Sequence, residues 1–201
     1  MKIEDINLDN AIQSPFNYIL IENFAPMIQD QSVYDEYLQN YDVTNAYPEL
    51  SSVSGHPIEE QLQQNKLPII KNVNKLWNLN VSDIYISTST FNKKGHGLRP
   101  HNDFHEVDRI PVRGILYCNP IKKFGTNIHT SDNSDPLKEI GGNPGDLLLI
   151  KVAENSWHST VMVEENCEDR ITCNMFFVNE INPDTNFSVN EGLANHMKEM
   201  V

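Results

Sequence analysis

The sequence contains no run of 18 apolar residues, so a membrane-spanning helix is excluded. Its three cysteines show no CxxC spacing, which argues against a disulfide framework or a zinc knuckle and favours reduced thiols in an intracellular protein. Residues 1–5 are charged and lack the apolar segment of a secretory signal. We therefore expect a cytoplasmic protein that does not act in a membrane.

Basic residues are also scarce, with 15 Lys and Arg against 28 Asp and Glu, a formal charge of −13 and a pI near 4.8. Such an average field repels a nucleic-acid backbone, so we expect no nucleic-acid partner. The same acidity favours a neutral or cationic substrate, including a peptide. Nothing in the composition indicates the oligomeric state.

The chain shows no internal repeat, no low-complexity tract and no phosphate-binding loop. The glycine-rich segment 141–145 lacks the Lys-Ser/Thr pair of a P-loop and predicts a turn. A length of 201 residues with 39% hydrophobic content suits one well-buried domain.

The first 80 residues predict one strand and supporting helices. Residues 16–24 are apolar and aromatic enough for a strand, and residues 26–41 carry apolar side chains at helical spacing. Residues 44–55 are rich in Asn, Pro, Ser and Gly and predict a loop. A second helical region covers residues 58–79, with an interruption near Pro68.

After residue 80 the sequence becomes a series of short β-rich runs separated by turn clusters. The predicted strands are 83–91, 112–118, 125–130, 146–152, 157–163 and 170–178. Evenly spaced short strands without intervening helices are typical of an antiparallel sandwich or jelly roll. We predict a mainly β single domain, 1–201, with a β core at 81–180 and a polar tail at 181–201 that frays or forms a short helix at 193–200.

Two histidines and one carboxylate are the candidate metal ligands. His101 and Asp103 are two residues apart, so an extended backbone would point both side chains the same way, and His158 follows on a later strand. Such a set can hold one face of a ferrous ion and leave the opposite face open. The alternative is that the three are ordinary loop and strand residues.

The last predicted strand adds a candidate anion-binding group. Arg170, Thr172 and Asn174 alternate with apolar residues, which indicates a strand beside a polar cavity. The guanidinium of Arg170 would suit a cosubstrate with a distal carboxylate. The alternative is an edge strand with one solvated face, although the apolar end of this strand, Phe176–Val178, argues for burial.

The order of these motifs resembles the 2-oxoglutarate/Fe(II)-dependent dioxygenase superfamily, particularly its prolyl-hydroxylase-like branch. The resemblance covers about residues 82–178. The matching motifs are His101-Asn102-Asp103, Gly114-Ile115-Leu116-Tyr117-Cys118-Asn119, Gly125-Thr126, Gly145-Asp146 with the apolar strand that follows, Trp157-His158 and Asp169-Arg170.

The resemblance implies a double-stranded β-helix with helices packed on one sheet, and the cofactors Fe(II), 2-oxoglutarate and O2. It implies that His101, Asp103 and His158 bind iron and that Arg170 pairs with the C5 carboxylate of 2-oxoglutarate. Tyr117 and Thr172 would add hydroxyl contacts to this carboxylate, although Tyr117 could equally be a core aromatic.

Two positions refine what the resemblance implies. Phe91 stands where some relatives carry a polar aromatic residue, so one cosubstrate contact is absent. Asp103 is retained, whereas halogenating relatives replace this carboxylate with a small residue. This favours hydroxylation, demethylation or a related oxidation over halogenation.

Other histidines and arginines lie near the predicted metal motif. His96 and His105 are interpreted as loop residues, and His129 faces either the cavity or solvent. Arg99, Arg109 and Arg113 either clamp an anionic substrate or are solvated cations. On an ideal strand, Arg113 shares the face of Tyr117.

The sequence therefore predicts an Fe(II)- and 2-oxoglutarate-dependent hydroxylase of a peptide or prolyl residue, or of a small molecule. The alternatives are a cupin-like metalloenzyme that does not use 2-oxoglutarate and a non-catalytic jelly-roll binding module. Specificity would lie in the loops at 92–99, 104–111 and 131–138, whose conformations a sequence does not reveal.

Overall fold

The computed structural model describes residues 14–30, 32, 35, 42–45, 51–54, 57–91, 97–119, 124–161 and 170–179. The polar tail at 181–201, with its predicted helix, lies outside these residues. Of the helix predicted at 26–41, the structure describes mainly the beginning, which is a 3-10 turn at Pro26–Gln29.

Ten strands are described, and all their pairings are antiparallel. In chain order they are β1 Tyr18–Ile21, β2 Asp42–Asn45, β3 Ser51–Ser54, β4 Val81–Phe91, β5 Val112–Tyr117, β6 Thr126–Ile128, β7 Lys138–Ile140, β8 Leu147–Lys151, β9 His158–Thr160 and β10 Arg170–Asn179. The major sheet has the order β1-β8-β5-β10-β4-β3-β2, and the minor sheet has the order β7-β6-β9. The prediction of a mainly β, antiparallel structure is confirmed.

The loop predicted at 44–55 is wrong in part, because β2 and β3 lie there and pair with each other. Strand β3 also pairs with β4, with Val53 opposite Thr88. A segment can join a sheet through backbone hydrogen bonds to a neighbouring strand even when it contains no apolar run. The composition of residues 44–55 therefore did not indicate these strands. The same holds for β7, whose Lys138 and Glu139 are exposed.

Two helices in the described region, α1 Pro57–Gln64 and α2 Lys66–Trp77, replace the single interrupted helix predicted at 58–79. The break lies at Asn65 and not at Pro68. Pro68 falls in the first turn of α2, where a backbone N–H has no partner within the helix and a proline is tolerated. Helix α2 ends at Asn78 in the left-handed conformation, with φ 52° and ψ 55°.

The two faces of the major sheet carry separate apolar clusters. One face packs against the helices through a cluster that includes Leu62, Ile69, Val73, Met175 and Phe177. The opposite face, called the inner face below, packs against the minor sheet in a cluster of Phe16, Tyr18, Tyr117, Ile128, Ile140, Leu148 and Ile150. The helices therefore cover one side of the major sheet and leave the inner face for the minor sheet.

Strand β10 lies between β4 and β5 in the major sheet. The alternative interpretation of this segment as an edge strand is therefore wrong. Its Ile171, Cys173, Met175 and Phe177 belong to the helix-side cluster. By alternation, Arg170 and Thr172 lie on the inner face, and both are buried. The predicted polar row on this strand is therefore buried at Arg170 and Thr172 and partly buried at its third member, Asn174.

Two further sequence expectations concern thiols and membranes. Cys118 and Cys173 are buried thiols that form no disulfide, as predicted, and Cys167 lies outside the described residues. Within the described part of the chain, no helix is both long enough and apolar enough to cross a membrane.

Helix α2 offers a matched pair of substitutions that tests its packing. Ile69→Ala should lower the free energy of unfolding by about 2–5 kcal/mol, because the side chain is fully buried against the sheet. Leu67→Ala, on the same helix but 70% exposed, should change it by less than about 0.5 kcal/mol. Urea unfolding followed by circular dichroism measures both, and equal losses would contradict the described helix orientation.

Candidate metal and cosubstrate site

A backbone bridge brings His101 and His158 together across a separation of 57 residues in sequence. The two residues pair in antiparallel fashion: the His101 N–H donates to the His158 carbonyl at 2.9 Å, and the His158 N–H donates to the His101 carbonyl at 2.8 Å. Their ring centroids lie 4.3 Å apart. Paired residues on antiparallel strands project to the same side, so both imidazoles reach one point.

Asp103 reaches the same point by a different route from the one predicted. Its backbone is not extended but left-handed, with φ 55° and ψ 8°. Aspartate tolerates this conformation better than most residues. The expectation of an extended His-x-Asp segment is wrong at Asp103, yet the carboxylate still lies within 4.0 Å of both imidazoles.

Asn102 holds this turn in place and faces away from the ligands, as predicted. Its side-chain amide donates to the Glu154 carbonyl at 2.8 Å, and its side-chain oxygen accepts from the Phe104 N–H at 3.1 Å. The Ser156 hydroxyl lies 2.9 Å from the Asn102 carbonyl. These bonds fix the metal motif to the loop that precedes β9.

The three side chains form a compact set of donors. Nε2 of His101 lies 4.0 Å from Oδ1 of Asp103, and Nε2 of His158 lies 3.7 Å from Oδ2. One donor atom from each residue falls within 4.8 Å of the others. Bonds of about 2.1 Å to one ion keep two donors within about 4.2 Å. Each histidine meets this limit with a different oxygen of the Asp103 carboxylate, and the three residues together form a candidate metal site.

Both imidazoles are held in the tautomer that a metal needs. Nδ1 of His101 lies 2.7 Å from the Arg99 carbonyl, and Nδ1 of His158 lies 2.8 Å from the Ser156 carbonyl. A carbonyl only accepts, so each Nδ1 carries the proton and each Nε2 keeps its lone pair. Burial lowers the pKa of His101 to about 3 and also lowers the pKa of His158, so both rings are neutral at physiological pH.

Arg113, on β5, contacts the carboxylate of this set. Its Nε lies 3.3 Å from Oδ2 of Asp103, and its guanidinium carbon lies 3.8 Å from the centroid of the Phe176 ring. Sequence reasoning placed Arg113 on the face of Tyr117, which the sheet confirms, but did not connect it to Asp103. The alternation of side chains along β5 was enough to place Arg113 on the inner face. Its contact with Asp103 also depends on the backbone turn at Asp103, which the sequence does not reveal.

The residues expected to bind the cosubstrate lie beside one another on the inner face. Tyr117 pairs with Thr172 across β5 and β10, and Arg170 precedes Thr172 by two residues on the same face. All three are about 2% exposed. Burial lowers the pKa of Arg170 only to about 10, so this interior side chain remains a cation at neutral pH.

The Tyr117 ring packs in the inner apolar cluster, while its hydroxyl makes polar contacts. The hydroxyl lies 2.8 Å from Oγ1 of Thr126 and 3.3 Å from the Ile140 carbonyl. Burial raises the pKa of Tyr117, so the phenol keeps its proton. Thr126 was not among the predicted site residues, although the motif Gly125-Thr126 had marked its position.

The turn predicted at 141–145 leaves room for Tyr117. Gly141 has φ +64°, and a Cβ added there would lie 2.6 Å from Cε2 of the Tyr117 ring. Glycine is therefore required at this position both by the backbone conformation and by the approach of the ring.

The remaining candidates do not join the donor set. His129 is buried, so the alternative that it faces solvent is wrong. Its ring nitrogens hydrogen-bond with the Ser134 carbonyl and the Ser159 hydroxyl, each at 2.8 Å. His105 is exposed in a 3-10 turn, as its interpretation as a loop residue implied, and His96 lies outside the described residues. Arg99 and Arg109 are exposed. Phe91 stands opposite Arg170 in the β4–β10 register.

No family model and no curated protein matches this chain in sequence. Solved structures do match it in fold. A prolyl-4-hydroxylase from Pseudomonas putida superposes with a TM-score of 0.61 at 13% identity, covering 87% of this chain and 97% of that one. A prolyl hydroxylase from Trichoplax adhaerens, in complex with a hypoxia-inducible factor peptide fragment, gives 0.62 at 15% identity, covering 81% and 83%.

A third similar structure contains ligands. HygX from Streptomyces hygroscopicus, with nickel, 2-oxoglutarate and hygromycin B bound, superposes with a TM-score of 0.61 at 12% identity, covering 90% of this chain and 92% of that one. The chain thus has the fold of the 2-oxoglutarate/Fe(II) oxygenases, prolyl hydroxylases included, which is the fold that its motifs predicted.

The donor set predicts strong and specific divalent metal binding. Loss of a residue that only hydrogen-bonds to a metal ligand weakens metal binding by roughly 10–100-fold. Asp103→Asn removes a charged candidate ligand, so it should raise the Kd for Mn(II) by more than this. Asp108→Asn, a substitution of an exposed carboxylate five residues away, should leave the Kd unchanged. Electron paramagnetic resonance of free Mn(II) measures both. Equal Kd values for the two variants would show that the metal binds elsewhere.

Proposed function

We propose that this protein is an Fe(II)- and 2-oxoglutarate-dependent oxygenase that hydroxylates its substrate. The observation that carries the proposal is the meeting of two neutral imidazoles and one carboxylate on a fold shared with 2-oxoglutarate/Fe(II) oxygenases. A buried arginine on the same inner face adds a cation suited to an anionic cosubstrate.

The proposal includes an assignment of the domain. The two facing sheets would form a double-stranded β-helix at 81–180, with residues 1–80 supporting the major sheet from its helix side. Pairing of His101 with His158 on β9 is consistent with this arrangement, because it places the ligands at one end of the minor sheet. The whole chain would then act as one domain.

In the proposed mechanism, His101, Asp103 and His158 would hold Fe(II) through Nε2, a carboxylate oxygen and Nε2 respectively. When bound, Fe(II) and 2-oxoglutarate would supply the activation of O2, in which 2-oxoglutarate is converted to succinate and CO2 and the substrate is oxidised. The carbonyls of Arg99 and Ser156 keep both rings oriented. Three protein ligands would leave further coordination positions of the ion for reacting ligands.

The cosubstrate end of the site would be formed by Arg170, Tyr117 and Thr172. The guanidinium would pair with the distal carboxylate of 2-oxoglutarate, and the two hydroxyls would donate to the same group. Because these side chains are buried, water competes weakly for the carboxylate and the ion pair is strong. Thr126, bonded to the Tyr117 hydroxyl, would orient that donor.

Retention of Asp103 favours hydroxylation over halogenation, since the carboxylate occupies the position that a halide would need. Among the similar structures, one contains a peptide fragment and another contains hygromycin B. We propose a peptide, such as one with a prolyl residue, or a small molecule as the substrate class. A cupin-like enzyme without 2-oxoglutarate and a non-catalytic module are the alternatives that the next experiment separates.

Anaerobic addition of Fe(II) and 2-oxoglutarate should produce a weak visible charge-transfer band, because the cosubstrate would chelate the iron. Asp103→Asn should lose the band, and Asp108→Asn should keep it. Absence of the band from folded wild-type protein would reject the oxygenase. Retention of metal binding alone would then indicate the cupin-like alternative, and loss of both would indicate a binding module. Once the band is seen, a screen of candidate substrates that measures succinate release is the next experiment.

Arg170→Met should separate cosubstrate binding from metal binding. Loss of a buried charged partner costs about 2–5 kcal/mol, so the affinity for 2-oxoglutarate should fall by at least about 30-fold. The Kd for Mn(II) should change by less than about 3-fold, because Arg170 is not a ligand. Titrations of the band and of Mn(II) measure the two quantities, with the exposed Arg109→Met as control. Equal losses of both affinities would count against the assigned role of Arg170.

A further inference from the structure

A threonine on the minor sheet lies on the same strand face as a candidate metal ligand, and the function proposed above does not use it. Thr160 is the second residue after His158 on β9, so both side chains project from one face of that strand. This face is turned toward the major sheet, because His158 pairs with Ile128 of the inner apolar cluster. Thr160 is 8% exposed, so its hydroxyl belongs to the interior between the two sheets.

Two pairs of side chains face each other across this interior. On the major sheet Tyr117 pairs with Thr172, and on the minor sheet Thr126 pairs with Thr160. The Tyr117 hydroxyl lies 2.8 Å from Oγ1 of Thr126, so the first members of the two pairs meet. Directly paired residues lie side by side on one face, which makes Thr172 and Thr160 the neighbouring members of the same facing pairs. Arg170, two residues before Thr172, projects from that face of β10 as well.

The second members of the two pairs do not span the interior as the first ones do. Facing sheets lie about 10 Å apart, and a tyrosine side chain crosses much of that distance. Thr172 and Thr160 are both short, so they leave space for the Arg170 guanidinium and a group bound to it. Since Arg170 is a buried cation, a carboxylate is the group whose charge and shape suit this space.

The Thr160 hydroxyl is oriented by the protein and keeps its own proton. Its oxygen accepts from the Leu98 N–H at 2.7 Å, and within the described part of the chain the hydroxyl makes no other hydrogen bond. The N–H supplies the proton of that bond, so the hydroxyl proton is left to donate. The Tyr117 hydroxyl differs, because Oγ1 of Thr126 and the Ile140 carbonyl, at 3.3 Å, already lie within its reach. Thr160 can therefore donate to a ligand without giving up a bond.

We propose that Thr160 donates a hydrogen bond to the distal carboxylate of 2-oxoglutarate, so that the minor sheet also contributes to the cosubstrate site. This inference rests on the proposed function, since it takes 2-oxoglutarate as the ligand of Arg170. Thr172 and Thr160 approach the carboxylate from the two sheets, while Arg170 supplies the opposite charge. A buried hydroxyl proton without an acceptor costs free energy, and a bound carboxylate removes that cost.

The test compares 2-oxoglutarate with 2-oxovalerate, which has the same 2-oxo acid group but carries a methyl group in place of the distal carboxylate. The full-length protein is loaded with Fe(II) under anaerobic conditions, and the charge-transfer band is titrated with each acid. Thr160→Val should raise the Kd for 2-oxoglutarate by at least about 10-fold, the lower end expected for a hydrogen bond to a charged group. It should leave the Kd for 2-oxovalerate and the Kd for Mn(II) unchanged, because neither ligand contacts the hydroxyl.

Three further variants separate the hydroxyl from the packing around it. Thr160→Ser lacks the methyl group but keeps the hydroxyl, and should bind 2-oxoglutarate as wild type does. Thr160→Ala lacks both groups and should behave as Thr160→Val does. This second pair carries the test if Thr160→Val disturbs the segment at Leu98 and weakens Mn(II) binding. Thr130→Val, a change at an exposed threonine two residues after β6, should leave all three Kd values unchanged.

An equal rise in the Kd for both oxo acids in the variants without the hydroxyl would overturn the proposal, because Thr160 would then only support the fold of the site. An unchanged Kd for 2-oxoglutarate in Thr160→Ala would overturn it as well. Either result, with the Fe(II)–2-oxoglutarate band intact in wild-type protein, leaves the oxygenase assignment standing. Absence of the band from wild-type protein removes both proposals together.

Discussion

The site depends on the antiparallel bridge between His101 and His158. Two backbone hydrogen bonds join these residues, and the same pairing continues where the Thr160 N–H donates to the Leu98 carbonyl and the Leu98 N–H donates to the Thr160 hydroxyl. This pairing attaches the segment before Asp103 to β9 of the minor sheet. Because the bonds belong to the backbone, the position of both rings is fixed by the fold, and only the ring orientation is left to the Nδ1 contacts.

Strand β10 connects this site to the rest of the molecule. Its apolar side packs against the helices, which fixes the strand in the middle of the major sheet. Its other side presents Arg170 and Thr172 near Tyr117, and Phe176 beneath Arg113. Burial of polar and charged groups costs free energy, and the apolar packing on one face of β10 offsets part of that cost for the polar groups on the other face.

The sequence predicted most strands and the three side chains that meet at the candidate metal site, because both depend on residue type and spacing. The alternation along β10 correctly separated Arg170 from Ile171, and the retained Asp103 marked the metal motif. Features that depend on backbone pairing or on local conformation were not predictable. Strands β2 and β3 form by pairing onto β4, the helix break at Asn65 avoids Pro68, and Asp103 adopts a left-handed turn. The Arg113–Asp103 contact follows from that turn and was hidden for the same reason.

The charges next to Asp103 and the overall charge of the chain act on the candidate site from different distances, and distance decides which of them dominates. Exposed carboxylates act across water and are screened within about 8–10 Å at ordinary ionic strength. Arg113 is nearly buried and lies against the Asp103 carboxylate, where screening is weak and a single charge has a larger effect. The acidic surface acts on Asp103 only across solvent, whereas Nε of Arg113 lies 3.3 Å from its carboxylate. The electrostatic environment of Asp103 is therefore governed by the guanidinium on β5 and not by the average charge of the chain.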